Sequence, residues 1–317
     1  CGITGIIDHH ASPGFIAGSL DTMAKAFDEF GMRGQLCYEI TDRNREGEGA
    51  EGIEENRRFA LSVMKHPLLK AALGAHASFT ITDKTLDDMA ALQDSMDLPL
   101  HIHLLEDKAD EVVSIDKFDM SPEARLTLRG FFRPGAIIVH GVHLSDTKLK
   151  RIQESGATMV NNPRSNMNNR VGRAPSGHGS WALGTDGIDS DILAEARTAF
   201  FRGREDNPPV DWMGPMHMLK NAQNLLGRPF GLDLGTLSEG GAADITVLDY
   251  HAPTPLNGDN FSGHLYFGLG SYACESTMVK GRWVMKNRSL VGVDEERLLA
   301  LSREGAKKLY KKMEEIQ

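Results

Sequence analysis

The sequence predicts an α/β chain, a (β/α)8 TIM-type barrel followed by a small C-terminal β-sandwich part. Three observations carry this. Short apolar runs alternate with longer amphipathic stretches through most of the chain, as in a parallel sheet with right-handed crossovers. Several of those runs end in metal-binding side chains about forty residues apart, as strand ends converging on one mouth would. Beyond residue 232, Gly-rich turns and short strands replace the alternation.

The first apolar run, residues 3–8, precedes a stretch over 15–30 in which Ile16, Leu20, Met23, Phe27 and Phe30 recur at helical spacing. A second strand is expected over 34–40. Residues 43–52 are charged and Gly-rich and predict a mobile loop before a helix over 54–65. A strand over 69–75 leads to a helix over 86–96 with Thr82 or Asp83 as its cap. Further strands fall at 100–105, 136–142, 158–161 and 181–184. The chain opens inside an apolar run without an initiator Met, so it is expected to begin at the second strand of a longer protein whose first strand would close the barrel. Helices over 191–202 and 216–226 flank a Pro-rich loop at 203–209. A strand over 243–248 and a hairpin over 276–285, turning at Gly281, build the β part. A charged amphipathic helix over 294–316 carries Leu298, Leu301, Ala306 and Leu309. The expected divisions are a barrel at 1–232, a β-sandwich portion at 233–290, and a terminal helix at 291–317 packing on the barrel.

With 317 residues and 40% hydrophobic content, the chain can bury a barrel-sized core and a smaller appendage. A net charge of −9 without any Lys/Arg block argues against a nucleic-acid surface, which leaves a small-molecule substrate as the expected partner. Cys1, Cys37 and Cys274 are scattered, without metal-knuckle or redox spacing, as in a reducing compartment. No apolar run is long enough to span a membrane, and a cytoplasmic location is expected. A homo-oligomer is compatible with the sequence, but no patch marks an interface.

The chemistry begins at His101-Ile102-His103-Leu104-Leu105-Glu106. Strand alternation puts His101 and His103 on one face, and Glu106 follows where the strand becomes a loop. One imidazole can ligate a metal while the carboxylate reaches the attacking water. Two more runs end alike: one in His140-Gly141-Val142-His143, the other in Gly184-Thr185-Asp186-Gly187. Neutral imidazoles and a carboxylate suit zinc or iron, and a catalytic site keeps one position open. His101, one layer deeper than His103, reads as a packing residue. His66, His178, His217, His251 and His264 stand outside any constellation.

These motifs in this order resemble the amidohydrolase superfamily, in the aminohydrolase branch that holds cytosine, guanine and S-adenosylhomocysteine deaminases and the triazine hydrolases. The likeness rests on His103 with Glu106, on His140, His143 and Leu144, on Asn162, Pro163, Ser165 and Asn166, and on Gly184 to Gly187. It extends into Gly241-Ala242-Ala243-Asp244-Ile245 and Val279-Lys280-Gly281-Arg282. The resemblance implies one divalent ion, zinc, with iron and manganese also suited to the donors. Of its ligands, His103 and Asp186 match, whereas the first-strand His-x-His is absent, a loss that should cripple metal affinity. It further implies that Glu106 shuttles the proton, that His140 orients the attacking hydroxide, that Asp186 both ligates and accepts a proton, and that His76 contacts substrate. Asp8-His9-His10 follows the second strand; adjacent side chains project to opposite faces, so His9 and His10 cannot both replace the missing pair without a bulge. They are taken as substrate-side residues, one lining the pocket and one packing behind it. Asn162 and Asn166 are expected to order their loop; Arg43, Arg45 and Arg164 read as solvated loop charges, with an anionic substrate group as the alternative partner. The implied reaction is hydrolysis of a C–N bond in a heteroaromatic or amidine-type amine with release of ammonia. Chloride or amide hydrolysis in the same branch, and a noncatalytic binding barrel, are the alternatives.

Overall fold

A computed structural model describes residues 1–175 and 181–315; His178 and the expected helix end at Ile316 lie outside the described residues. In chain order the parallel region runs β1 (Gly5–His10), α1 (Ser19–Phe30), β2 (Arg33–Tyr38), α2 (Glu48–Val63), β3 (Leu69–Ala71), β4 (Leu73–Ala77), α3 (Asp83–Met96) and β5 (Leu100–Leu104). It continues through α4 (Lys108–Phe118), α5 (Pro122–Leu128), β6 (Ile137–His140), α6 (Asp146–Glu154), β7 (Thr158–Asn161), α7 (Pro163–Asn168), β8 (Ala182–Leu183), α8 (Ile192–Gly203) and α9 (Gly214–Gly227). Every neighbouring pair in this set is parallel, in the order β1-β2-β3 and β4-β5-β6-β7-β8.

Strand alternation sorts the side chains into two layers. Leu100, Ile102 and Leu104 of β5 and Ile138 of β6 face the helices, in a core with Leu86, Met89, Leu126, Leu149 and Trp181. Ile137 and Val139 point the other way and cluster with Val160, Ala182 and Leu225; Ile7 of β1 joins them, so the strand set curls round a common interior. His101 and His103 alternate with Ile102, on this interior face. Among the described residues β1 pairs only with β2 and β8 only with β7, and α9 packs against both of these edge strands.

Three local expectations are corrected. The strand over 69–75 is two strands, because the backbone changes partners there. The Ala72 amide donates to Leu36 on one side, and the Leu73 amide to Pro99 on the other. At this junction a Cβ on Gly74 would lie 2.3 Å from the Tyr38 carbonyl oxygen, so only glycine fits. The expected mobile loop over 43–52 instead contains the start of α2, since the buried Glu48 carboxylate accepts from the Asn44 amide and from its side chain, at 3.1 and 2.7 Å. Burial of a hydrogen-bonded acid outweighs the local Gly and charge signal. The third correction concerns the last helix.

The C-terminal part is an antiparallel sheet, in the order β12-β11-β10-β9, from β9 (Ile245–Leu248), β10 (Cys274–Val279), β11 (Arg282–Lys286) and β12 (Ser289–Leu290), with α10 (Phe261–Phe267) between the first two. The hairpin across Gly281 is there as the sequence predicts. The last helix, α11 (Glu295–Glu314), buries no residue and leaves Leu298, Leu301 and Leu309 exposed, against the expectation that it packs on the barrel. Its apolar positions are spread among Lys and Glu. The Asp294 side-chain cap on the Arg297 amide, acids in the first turn and lysines in the last all stabilise it locally.

One buried pair ties the antiparallel sheet to the barrel. Arg33, at the start of β2, donates from Nε and Nη2 to the two carboxylate oxygens of Asp244 at 2.6 and 2.9 Å, with both side chains under 5% exposed. Asp244 also accepts from the Lys280 amide of the hairpin at 2.8 Å. Removing one partner strands a buried charge, so Asp244→Ala is expected to cost about 3–5 kcal/mol in urea unfolding. A loss below about 1 kcal/mol would mean the two parts are joined elsewhere.

Candidate metal centre

Parallel register brings the C-terminal strand ends to one mouth. His9 sits near the end of β1, Glu39 just past β2, His76 in β4, His103 in β5, His140 at the end of β6 and Asp186 beyond β8. Backbone turns re-aim three of these ends. Leu105, His140 and Asp186 have φ of 49, 71 and 53°, a left-handed conformation unusual for non-glycine residues and one that costs roughly 1–3 kcal/mol each.

The imidazoles are oriented from behind. A backbone carbonyl only accepts, so a ring nitrogen beside one must carry the proton. His9 Nε2 lies 3.1 Å from the Ala75 carbonyl and His103 Nδ1 2.7 Å from the His76 carbonyl. These bonds leave His9 Nδ1 and His103 Nε2 as bare lone pairs. His140 Nδ1 donates to Asn166 Oδ1 at 2.9 Å, an orientation held by the Asn166 amide donating to Asn161 Oδ1 at 3.3 Å. His140 Nε2, the ring's other nitrogen, faces the mouth, 3.7 Å from Glu106 Oε2 and 3.8 Å from Asp186 Oδ2. These distances exceed a hydrogen bond.

The carboxylates are hydrogen-bonded, Glu106 and Glu39 through one oxygen each and Asp186 through both. Asn169 donates to Glu106 Oε1 at 3.1 Å, the Gly187 amide to Asp186 Oδ1 at 2.7 Å, and Ser165 to Asp186 Oδ2 at 2.5 Å. Arg43 donates to Glu39 Oε1 at 2.7 Å, while Glu39 Oε2 stands 3.8 Å from His9 Nδ1.

Burial sets the charge states. It holds the His9 and His103 rings below the ordinary imidazole range, with neighbouring imidazoles adding to the effect, and both are neutral near pH 7. Desolvation lowers His76 and His101 to about 3. Burial pushes the Asp186 carboxyl up, but the Ser165 hydroxyl and the His140 ring outweigh it, so Asp186 stays below the usual carboxylate range. Desolvation raises Glu39, with Arg43 opposing. The mouth therefore presents the neutral His9 and His103 nitrogens together with carboxylate oxygens. Such a donor set fits a borderline divalent cation. One nitrogen each from His9 and His103 and one Glu39 oxygen lie within 4.8 Å of one another.

Most of the residues expected from sequence meet here. His103, Glu106, His140 and Asp186 share the mouth, and His76 stands beside them with its ring centroid 5.8 Å from that of His103. His9 faces inward, its ring 4.7 Å from those of both His101 and His103. Of the pair, His10 is the one that packs behind: alternation turns it to the other side of β1, where it meets Ser12 Oγ at 3.0 Å and lies beside Tyr38, so the substrate-side role expected for it is not placed here. Asn166 does more than order a loop, since it fixes the His140 tautomer. Arg45 and Arg164 are paired with Glu51, and with Glu195 and Asp189, and Arg43 with Glu39, so these guanidiniums are already neutralised. Glu39 was not picked out from the sequence. Its one signal is a lone carboxylate inside the otherwise apolar run Leu36-Cys37-Tyr38-Glu39-Ile40.

Comparison with known proteins gives the family and relatives of the chain. Residues 1–284 match the model of the amidohydrolase family. A 5-methylthioadenosine/S-adenosylhomocysteine deaminase of Desulforudis audaxviator is 29% identical over 305 residues, covering 92% of this chain and 70% of that protein. A 5'-deoxyadenosine deaminase of Methanococcus vannielii is 27% identical over 307 residues, covering 92% and 72%. Among solved structures, an adenosine deaminase from Xanthomonas campestris with bound zinc superposes with a TM-score of 0.82 at 23% identity, over 92% of this chain and 70% of that one, a likeness of fold.

The mouth also holds a strained acid. Asp110, in the first turn of α4, accepts from the Glu106 amide at 3.2 Å, and burial pushes its carboxyl up to about 7. A folded pKa above the unfolded 3.8 means the native state holds the proton more tightly, so this contribution to stability declines as pH rises and is lost past 7. Asp110→Asn should therefore gain stability over the parent as pH rises from about 5, levelling above neutrality, by urea titration. A pH-independent difference would contradict the buried-acid account.

Proposed function

The chain belongs to the amidohydrolase family, and from that premise we propose that it hydrolyses a C–N bond of a heteroaromatic amine, of the aminopurine kind, releasing ammonia. The observation that carries this reading is the Glu106, His140 and Asp186 arrangement: one imidazole nitrogen between two carboxylates, 3.7 and 3.8 Å away. The relatives at 27–29% identity are named as deaminases of adenosine derivatives, which favours ammonia as the leaving group. The cofactor we assign is one zinc ion with His103 and Asp186 among its ligands, a choice supported by the zinc in the Xanthomonas enzyme. When bound, zinc polarises the reacting centre and makes hydroxide accessible near pH 7.

The chain's own groups then divide the proton work. His140, its Nδ1 held by Asn166, orients the attacking water through Nε2. Asp186, held ionised, takes the water's proton. Glu106, at the rim with one oxygen on Asn169, receives that proton and passes it to the ring nitrogen next to the attacked carbon, and the second proton, from the new hydroxyl, follows the same route to the departing amine. Water adds across the C=N bond, the C–NH2 bond breaks, and the products are the ring carbonyl and ammonia. His76, beside His103 and bonded through Nδ1 to the Thr80 hydroxyl at 2.8 Å, contacts the substrate ring in this reading. A cytoplasmic location is part of the same proposal, and no helix among the described residues is long and apolar enough to cross a membrane.

The test pairs ammonia release from a panel of aminopurine nucleosides with zinc content by elemental mass spectrometry. Glu106→Gln should keep its metal and lose about 10²- to 10⁴-fold in kcat, the range expected for one proton shuttle. Asp186→Ala should lose both metal and turnover. Undiminished turnover in Glu106→Gln would sink the proton-shuttle role.

A further inference from the structure

We propose that the end of the barrel opposite the mouth holds a second site, which takes a phosphate monoester with an apolar or ring body. A cavity of about 410 Å³ opens at the strand starts, where the sheet β1-β2-β3 parts from β4-β5-β6-β7-β8. Gln35 and Lys70, partners in the β2–β3 register, stand on one side of it. Pro99 before β5, Gly135 before β6 and Arg228 at the end of α9 stand on the other. The five residues of β5, at roughly 3.3 Å each, separate this cavity from the mouth. The site is independent of the C–N hydrolysis proposed there. Strand starts of a barrel ordinarily serve stability alone. Here they gather cations that the fold leaves without carboxylate partners.

Guanidiniums elsewhere in the chain meet carboxylates: Arg33 meets Asp244, Arg125 meets Asp83 and Arg164 meets Glu195. Around the cavity the pattern breaks. The Arg228 side chain makes no hydrogen bond or ion pair among the described residues, and its Nε lies 3.8 Å from where a Cβ on Gly135 would stand. Lys70 Nζ reaches only the Met64 carbonyl, at 3.5 Å, and sits 5.7 Å from the centre of the Phe230 ring. Arg133 gives Nη1 to Asp94 at 3.0 Å and leaves Nη2 buried with no acceptor. A buried donor without a partner is costly, and an anion held in the cavity supplies the missing oxygen. Asp97, the one carboxylate among the described lining residues, is exposed and pairs with none of these cations. Guanidinium forks bond two phosphate oxygens at once, and a monoester carries about −1.5 to −2 charges at pH 7, which answers this excess better than a carboxylate. The remaining wall is apolar, with Val63, Met96, Leu98 and Leu225, and the volume falls within the ~300–1,000 Å³ of small-molecule pockets. That space calls for a body attached to the phosphate.

The experiment titrates the purified protein calorimetrically with phenyl phosphate, a ring-bearing monoester with no C–N bond to hydrolyse, and with inorganic phosphate. Phenyl phosphate should bind, and Lys70→Gln and Arg228→Gln should each weaken it about tenfold, the loss expected for one charge-assisted contact. Asp186→Ala, at the mouth, should bind it as the parent does. Inorganic phosphate should bind more weakly than the ester. Since a variant can misfold, the parent gives a second readout through the methionines. Met64 and Met96 line the cavity and Met167 lies in α7 beside the mouth. Methyl NMR on adding phenyl phosphate should move the Met64 and Met96 signals and leave Met167 in place. No binding at millimolar ester, parental affinity in both cavity variants, or unmoved Met64 and Met96 signals overturn the proposal. Loss of binding in Asp186→Ala alone would place the ester at the mouth and overturn it too, and equal affinity for the two phosphates would reject the apolar body.

Discussion

Everything at the barrel mouth depends on the hydrogen bonds that the imidazoles make behind themselves. His9, His103 and His140 each commit one N–H to the shell, to Ala75, His76 and Asn166 respectively. The inward nitrogens of His9 and His103 are thereby left as acceptors, His9 Nδ1 faces Glu39, and His140 Nε2 faces Glu106 and Asp186. In water such a cluster would recruit protons. Here desolvation holds the His9 and His103 rings neutral, so the electrostatic demand is for a cation from outside. The constraint is one of tautomers before it is one of distances.

The scaffold bears costs to keep this arrangement. Leu105, His140 and Asp186 are in left-handed conformations, and Asp110 is a buried acid that would prefer its proton. These are local losses at the strand ends. They are offset by the aliphatic layer between strands and helices, where Leu100, Ile102, Leu104 and Ile138 are fully buried, and by the Arg33–Asp244 pair that fixes the start of β2. The division is physical: strand bodies supply burial, and strand ends spend part of it on function. Asn166 and Asn169 link the two, because both reach the site from α7 and the turn after it.

Much of this was legible in the sequence, and the parts that were not have specific reasons. His103, Glu106, His140 and Asp186 stand where apolar runs stop, so their place at the mouth follows from strand alternation and parallel topology. Alternation also requires that His9 and His10 part company, but which of them turns inward depends on the pairing of β1 with β2, and register is not written in one strand. Glu39 was hidden because a single carboxylate within a buried run gives no periodic signal. The start of α2 was masked by Gly47 and Gly49 and by charges that turn out to be buried and bonded, such as Glu48. The split of β3 from β4 is a change of partner that only the neighbours Leu36 and Pro99 reveal.

The most direct measurement of the central claim, that this mouth is built for a metal ion, is anomalous diffraction at the zinc edge from crystals of the zinc-loaded protein. The account predicts one strong peak within about 2.0–2.2 Å of a His103 ring nitrogen and of at least one carboxylate oxygen at the strand ends. An empty mouth in zinc-loaded crystals, or zinc bound only at surface carboxylates, would contradict it.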